Sequence, residues 1–317
     1  MSAAVRTALG DIDAAELGRT DYHEHLLQVS PLLPGDDLDD ERLSGLEAAR
    51  LARSGFDAMV DATPTGLGRN PAAVARISAG AALRVVLTTG AHREEHYGPD
   101  HWLLGRSAEQ LAAAFLADVR EGLPVHDGFP RAEAAEHEGR PIRAGLLKAG
   151  IGYWRISPFE RRVLAAVGET HRQTGAPVMV HTEYATAAFE VLDVLASHGV
   201  RADAVVLAHV DRNPDPVLHA DLAAAGAYLG YDTFARAREQ PDSTIVACAA
   251  RAVELGARER ILLGGDVARR SRYVAYGGMP GLEYLGRRAV PLMAAAVGED
   301  VLHDLLVANP ARLLARF

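Results

Sequence analysis

Lysine is almost missing from this chain of 317 residues: of its 33 basic residues, Lys148 is the only lysine and all the others are arginine. Lys148 closes the apolar run Ile142-Arg-Ala-Gly-Leu-Leu-Lys148. A lone lysine in an arginine-rich chain points to chemistry that arginine cannot do, because a desolvated amine can lose its proton whereas guanidinium stays charged. Cysteine is equally scarce. Cys248 by itself excludes an intrachain disulfide and a cysteine-based zinc site, and it fits a reducing compartment. Its setting, Thr244-Ile-Val-Ala-Cys-Ala-Ala-Arg251, reads as an apolar helix face and not as the surroundings of a nucleophile. There is no surplus of basic charge. The formal net charge of −9 argues against nucleic acid or an anionic membrane as the main partner, although local arginine clusters can still hold a small anion. No run of about eighteen apolar residues occurs and no apolar signal core follows Met1, so the expectation is a soluble, cytoplasmic protein. A Gly-x-Ser-x-Gly elbow and a phosphate-cradling Gly-x4-Gly-Lys loop are also missing.

What the sequence does contain is a regular alternation. Apolar, β-branched runs predict strands at Thr20 to His25, Phe56 to Ala62, Val85 to Gly90, Ile142 to Lys148, Val178 to Thr182, Val205 to His209, Ala227 to Asp232 and Ile261 to Asp266. Helical patterns lie between them, near 40–54, 71–82, 106–121, 158–174, 186–198, 214–225, 241–255 and 280–298. Strand and helix in alternation imply a parallel sheet, and eight such units in about 300 residues fit an α/β fold of the (β/α)8 TIM-barrel type, read as a single domain over 1–317. An open doubly wound sheet is the alternative. Ser157-Pro-Phe-Glu160 reads as a capping box, and Asn213-Pro214 and Asn309-Pro310 read as further helix starts. Gly175, Gly199, Gly226 and Gly256 mark helix ends. The polar stretch at about 122–140 is expected to be a surface excursion ahead of the fourth strand.

The polar residues that close these strands form a set: His23 and His25 on strand one, Lys148 on strand four, His181 on five, His209 on six and Asp266 on eight. Residues two apart in a strand face the same side, so His23 and His25 can address one metal, and barrel strands bring their carboxyl ends to one rim. A single histidine at a strand end is ordinarily a hydrogen-bonded rim residue. Four of them together with one aspartate and the only lysine read as a metal site for zinc, manganese, iron or cobalt. The remaining histidines, among them His126, His137, His171, His198, His219 and His303, read as surface or structural residues.

The pattern His23-x-His25, Lys148, His181, His209 and Asp266, followed by Asn309-Pro-Ala-Arg312, resembles the phosphotriesterase family of the amidohydrolase superfamily over roughly residues 15 to 316. That resemblance implies two divalent metal ions bridged by a carboxylated Lys148. His23, His25 and Asp266 would hold the buried ion, and His181 and His209 the more exposed one. It also implies hydrolysis by a metal-bridging hydroxide with Asp266 as proton acceptor, and it suggests a homodimer. The loops Asp266-Val-Ala-Arg269-Arg270-Ser-Arg272-Tyr273 and Tyr231-Asp-Thr-Phe-Ala-Arg236-Ala-Arg238 supply five arginines and a tyrosine for an anion clamp. Together with His181-Thr-Glu-Tyr184 and Tyr276-Gly-Gly-Met-Pro-Gly-Leu-Glu-Tyr284 they resemble the branch that hydrolyses lactones of phosphorylated sugars. Where relatives usually place a substrate-facing aromatic residue after strand three, this chain has Gly90-Ala-His92-Arg93-Glu-Glu-His96-Tyr97, so His92 or Tyr97 is expected to take that place. The alternatives are a phosphotriesterase or phosphodiesterase acting at phosphorus and, more remotely, a barrel that binds a ligand without turnover.

Overall fold

Short segments, most of them apolar and all too brief for helices, become eight strands: β1 (Thr20–Glu24), β2 (Ala58–Asp61), β3 (Arg84–Gly90), β4 (Leu146–Gly150), β5 (Val178–His181), β6 (Val205–Ala208), β7 (Tyr228–Tyr231) and β8 (Ile261–Leu263). The computed structural model describes residues 4–317, and in it these strands pair in chain order, each parallel to the next. Helices return the chain between them, as parallel pairing requires. The result is a nearly closed eight-stranded barrel. No ladder joins β8 to β1. The gap is bridged by the Asp266 N–H donating to the His23 carbonyl at 2.9 Å. Two buried carboxylates complete the seam, Asp21 accepting from Gly265 N–H at 3.3 Å and Glu24 from Val267 N–H at 3.0 Å.

Side chains alternate along each strand, so apolar runs bury both faces. Val60, Val86, Leu146, Met179, Val206 and Leu262 fill the barrel interior, and a larger shell packs between the strands and the helices. Tyr22 lies across the interior beside Gly230 and Gly264, where any β-carbon would overlap its ring. An antiparallel hairpin, Ala4–Thr7 with Gly10–Asp13, lies at the start of the described chain, and Val5 and Leu17 pack with Leu313 and Leu314 from its end.

Local signals set most helix boundaries. Ser157 forms the expected capping box with Glu160, and Ser107 forms a second one with Gln110. Gly175 closes the helix Pro158–Thr174 at φ 76°. Two expected starts differ. The helix after β6 begins at Pro216 with Asp215 as its cap, because Asp215 Oδ1 accepts from the N–H groups of Val217 and Leu218; Asn213-Pro214 lies in the approach. Asn309 sits inside a continuous helical run, and its side chain instead donates to the carbonyls of Arg258 and Ile261 at 2.9 and 2.8 Å, tying the C-terminal helix to β8.

The fourth strand also lies later than its apolar run suggests. Ile142 is taken up by the preceding excursion, its N–H donating to Ala135 and its carbonyl accepting from Leu123. The ladder therefore runs Leu146–Gly150 and places Lys148 at its centre, between Gly90 and Met179. Gly90, at φ 109°, packs so tightly on the Lys148 backbone that no β-carbon fits. The excursion carries its own short pair, Glu136–His137 with Arg140–Pro141, and buried Arg69 grips it through Asp127 at 2.7 Å. Among the described residues no helix is long and apolar enough to cross a membrane.

Candidate functional site

The carboxyl ends of the strands bring His23, His25, Lys148, His181, His209 and Asp266 together, and all six are buried. His209 and Asp266 sit one and three residues past their strands at φ 63° and 42°. Side chains rarely adopt this left-handed conformation, and such strain gathers at functional sites. His209 Nε2 lies 2.9 Å from His181 Nδ1, and Asp266 Oδ1 lies 3.8 and 3.6 Å from the Nε2 atoms of His23 and His25. Lys148 Nζ is 3.2 Å from His23 Nε2 and 3.0 Å from Met179 Sδ. Burial lowers its pKa to about 8, which raises the share of neutral, nucleophilic amine near neutral pH.

The outer ring nitrogens are all occupied. Fully buried Asp232 reaches His23 Nδ1 at 2.9 Å through one oxygen and His209 Nδ1 at 2.6 Å through the other, and Tyr22 donates to it as well. Thr63 Oγ1 meets His25 Nδ1 at 2.8 Å, and Glu183 meets His181 Nε2 at 2.8 Å. Each imidazole is thereby left with one inward nitrogen, which is how outer partners orient metal-binding histidines. Burial also lowers all four imidazole pKa values, that of His209 to about 3, so the rings are neutral and offer lone pairs. Burial alone would raise the Asp266 carboxyl, but the Arg236 guanidinium beside it holds it well below the usual range and keeps it ionised. Inward nitrogens, a charged carboxylate and a buried amine make a donor set that suits divalent metal ions. His23, His25 and Asp266 form one compact group among them.

Above this set opens a cavity of about 280 Å³. Of the residues expected to touch substrate, His92, Arg236 and Arg269 line it. Arg236 Nη2 lies 2.5 Å from Asp266 Oδ2. His92 stacks at 3.7 Å on His96, which lines the cavity too. The other five lie off the cavity. Tyr97 is buried behind the His92 loop, donating to the Thr65 carbonyl at 3.0 Å and accepting from His92 N–H at 2.9 Å. Tyr273 is buried and donates to the His25 carbonyl. Arg272 reaches the backbone carbonyls of Asp266 and Phe234, Arg270 turns out to Asp39 and the Tyr276 ring, and Arg238 is exposed.

The cavity also holds residues that the sequence reading passed over. Arg93, Glu183 and Arg212 line it as an arc, Glu183 lying 2.9 Å from Arg93 and 3.6 Å from Arg212. Asp232 lies behind it. Asp232 had a visible signal, since it closes strand seven just as the other polar residues close theirs. Arg93 and Arg212 had only their nearness to His92 and His209.

The phosphotriesterase family matches residues 3–314. A phosphotriesterase homology protein of Mycobacterium tuberculosis is 32% identical over 337 residues, covering 98% of each chain. A phospho-furanose lactonase of Mycoplasmopsis synoviae is 28% identical over 326 residues, covering 98% of this chain and 91% of that one. The crystal structure of a lactonase from Listeria monocytogenes superposes with a TM-score of 0.88 at 31% identity, covering 99% of each chain. With its barrel, its rim of histidines and a match along nearly its whole length, this chain is a hydrolase that belongs to the phosphotriesterase family.

Proposed function

We propose that this hydrolase works with two divalent metal ions, zinc or else manganese, cobalt or iron, and that its substrate is the lactone of a phosphorylated sugar. His23, His25 and Asp266 would hold the inner ion, His181 and His209 the outer one, and a carboxylated Lys148 would bridge them. The observation that carries this reading is the set of four neutral imidazoles, each backed on its outer nitrogen, around a buried amine with a lowered pKa. Such an ion pair supplies a Lewis acid for the substrate carbonyl and lowers the pKa of water towards about 7. The protein's own groups do the rest. Asp266, held ionised, accepts the proton of the attacking water. Arg236 beside it fixes the carboxylate. The cavity's arginines, Arg93, Arg212, Arg236 and Arg269, are suited to an anionic substrate, and the lactonase names among the relatives favour a lactone.

The test is a hydrolysis screen of sugar lactones with and without a 5-phosphate on zinc-loaded enzyme. The phosphate is expected to raise kcat/KM by about 100-fold, the scale of two charge-assisted hydrogen bonds. Equal rates on both kinds of lactone overturn the anion requirement. A strong preference for aryl phosphotriesters would move the reaction to phosphorus.

Asp232→Asn gives a separate test of the metal site. An amide can accept a hydrogen from only one of the two rings through its oxygen, and its N–H then forces the other into the wrong tautomer. Metal affinity is expected to fall about 10- to 100-fold with the fold intact, measured against a chromophoric chelator. Unchanged affinity would remove Asp232 from the site's design.

A further inference from the structure

A second cavity, of about 260 Å³, opens between the helix Ala108–Arg120 and the turn at 124–131, away from the histidine cluster. Its walls are apolar: Trp102, Leu111 and Ala114 line it, and Phe129, itself 63% exposed, forms an edge. Its polar side is charged. Buried Arg69 is paired with Asp118 and Asp127 at 2.8 and 2.7 Å, Arg131 reaches Asp118 at 3.1 Å, and Arg106 lies over the Phe129 ring at 3.8 Å. Among the lining residues three guanidiniums thus face two carboxylates, so one positive charge has no counterpart. Arg131 Nε is also buried without a hydrogen-bond partner, which is uncommon for a buried donor.

We propose that this cavity is a second ligand site, for a small aromatic monocarboxylate. Two aromatic side chains offer edge and face contacts to a ring, and the surplus guanidinium charge pairs with one carboxylate. The volume lies just under the roughly 300–1,000 Å³ of sites for drug-sized ligands, so it suits a single substituted ring. The site also borders the reaction cavity's scaffold. Asp127 accepts from Gly66 N–H at 2.8 Å, and the neighbouring Thr65 carbonyl holds Tyr97, on which the His92 loop rests.

The chain has two tryptophans, Trp102 and Trp154, so in a metal-loaded Trp154→Phe enzyme the emission reports Trp102 alone. Benzoate is expected to change that emission saturably, with a Kd below about 1 mM. Neutral benzamide should bind about tenfold more weakly or worse, as should benzoate to the Arg131→Gln form. Ala114→Phe, which fills the cavity, should abolish the response; near-native circular dichroism of both variants excludes misfolding as the cause. A response that does not saturate, equal binding of benzoate and benzamide, or full binding by the filled variant each overturns the proposal.

Discussion

In a Lys148→Met enzyme, hydrolysis is expected to fall by about 10⁴-fold or more, together with most of the bound metal, because water without the ions returns from a pKa of about 7 to about 15.7. The same change should leave the metal-free protein at least as stable as wild type. Lys148 is fully buried, and among the described residues its amine hydrogen-bonds to an imidazole nitrogen and a thioether, so a methionine of similar length removes a desolvated polar group without opening a void. Metal analysis and urea unfolding of the two metal-free proteins read these effects separately. The smaller Lys148→Ala enzyme should regain part of its metal and activity with acetate or propionate, whose carboxylate can stand where the carbamate would. Full metal occupancy and full activity in the methionine variant would discard the bridging role.

Asp266→Asn is expected to lower kcat by about 10²- to 10⁴-fold, the range for removing a positioned proton acceptor. Asparagine tolerates left-handed backbone, so the φ of 42° at this position brings no new strain. The bond from its backbone N–H to the His23 carbonyl, which bridges the barrel seam, also persists. The loss should therefore appear in kcat more than in thermal stability, and most of the metal should remain through His23 and His25. A variant within about tenfold of wild type would show that the proton leaves by another route.

These substitutions could be chosen from the sequence because the barrel is written locally. Most strands are short apolar runs with a polar residue at or just past the carboxyl end, several helices carry their own caps, and parallel pairing follows from the alternation. Lys148 stood out by composition, and His23, His25, His181, His209 and Asp266 by closing strands. Boundaries were less legible where a distant partner competed for the same backbone. Ile142 pairs with Leu123 and Ala135 in the excursion, so β4 begins later. Asp215 outcompetes Asn213 as a cap because its side chain reaches two free N–H groups.

By itself, then, the sequence determined the alternation of eight strands with helices and marked six residues, five by the strand ends they were expected to close and Lys148 by composition. The strand order that makes a barrel and not an open doubly wound sheet is tertiary. The tertiary structure alone decided the setting of those groups. Asp232 lies 209 residues from His23 in the chain, yet it selects which nitrogen His23 turns inward. Tyr273 and Tyr97, chosen from the sequence as groups facing the substrate, instead hold backbone carbonyls behind the site, while Arg93 and Arg212 come forward into the cavity. The direction in which a loop side chain points is set by packing and hydrogen bonds between loops from different strands, and spacing along one segment carries no record of them.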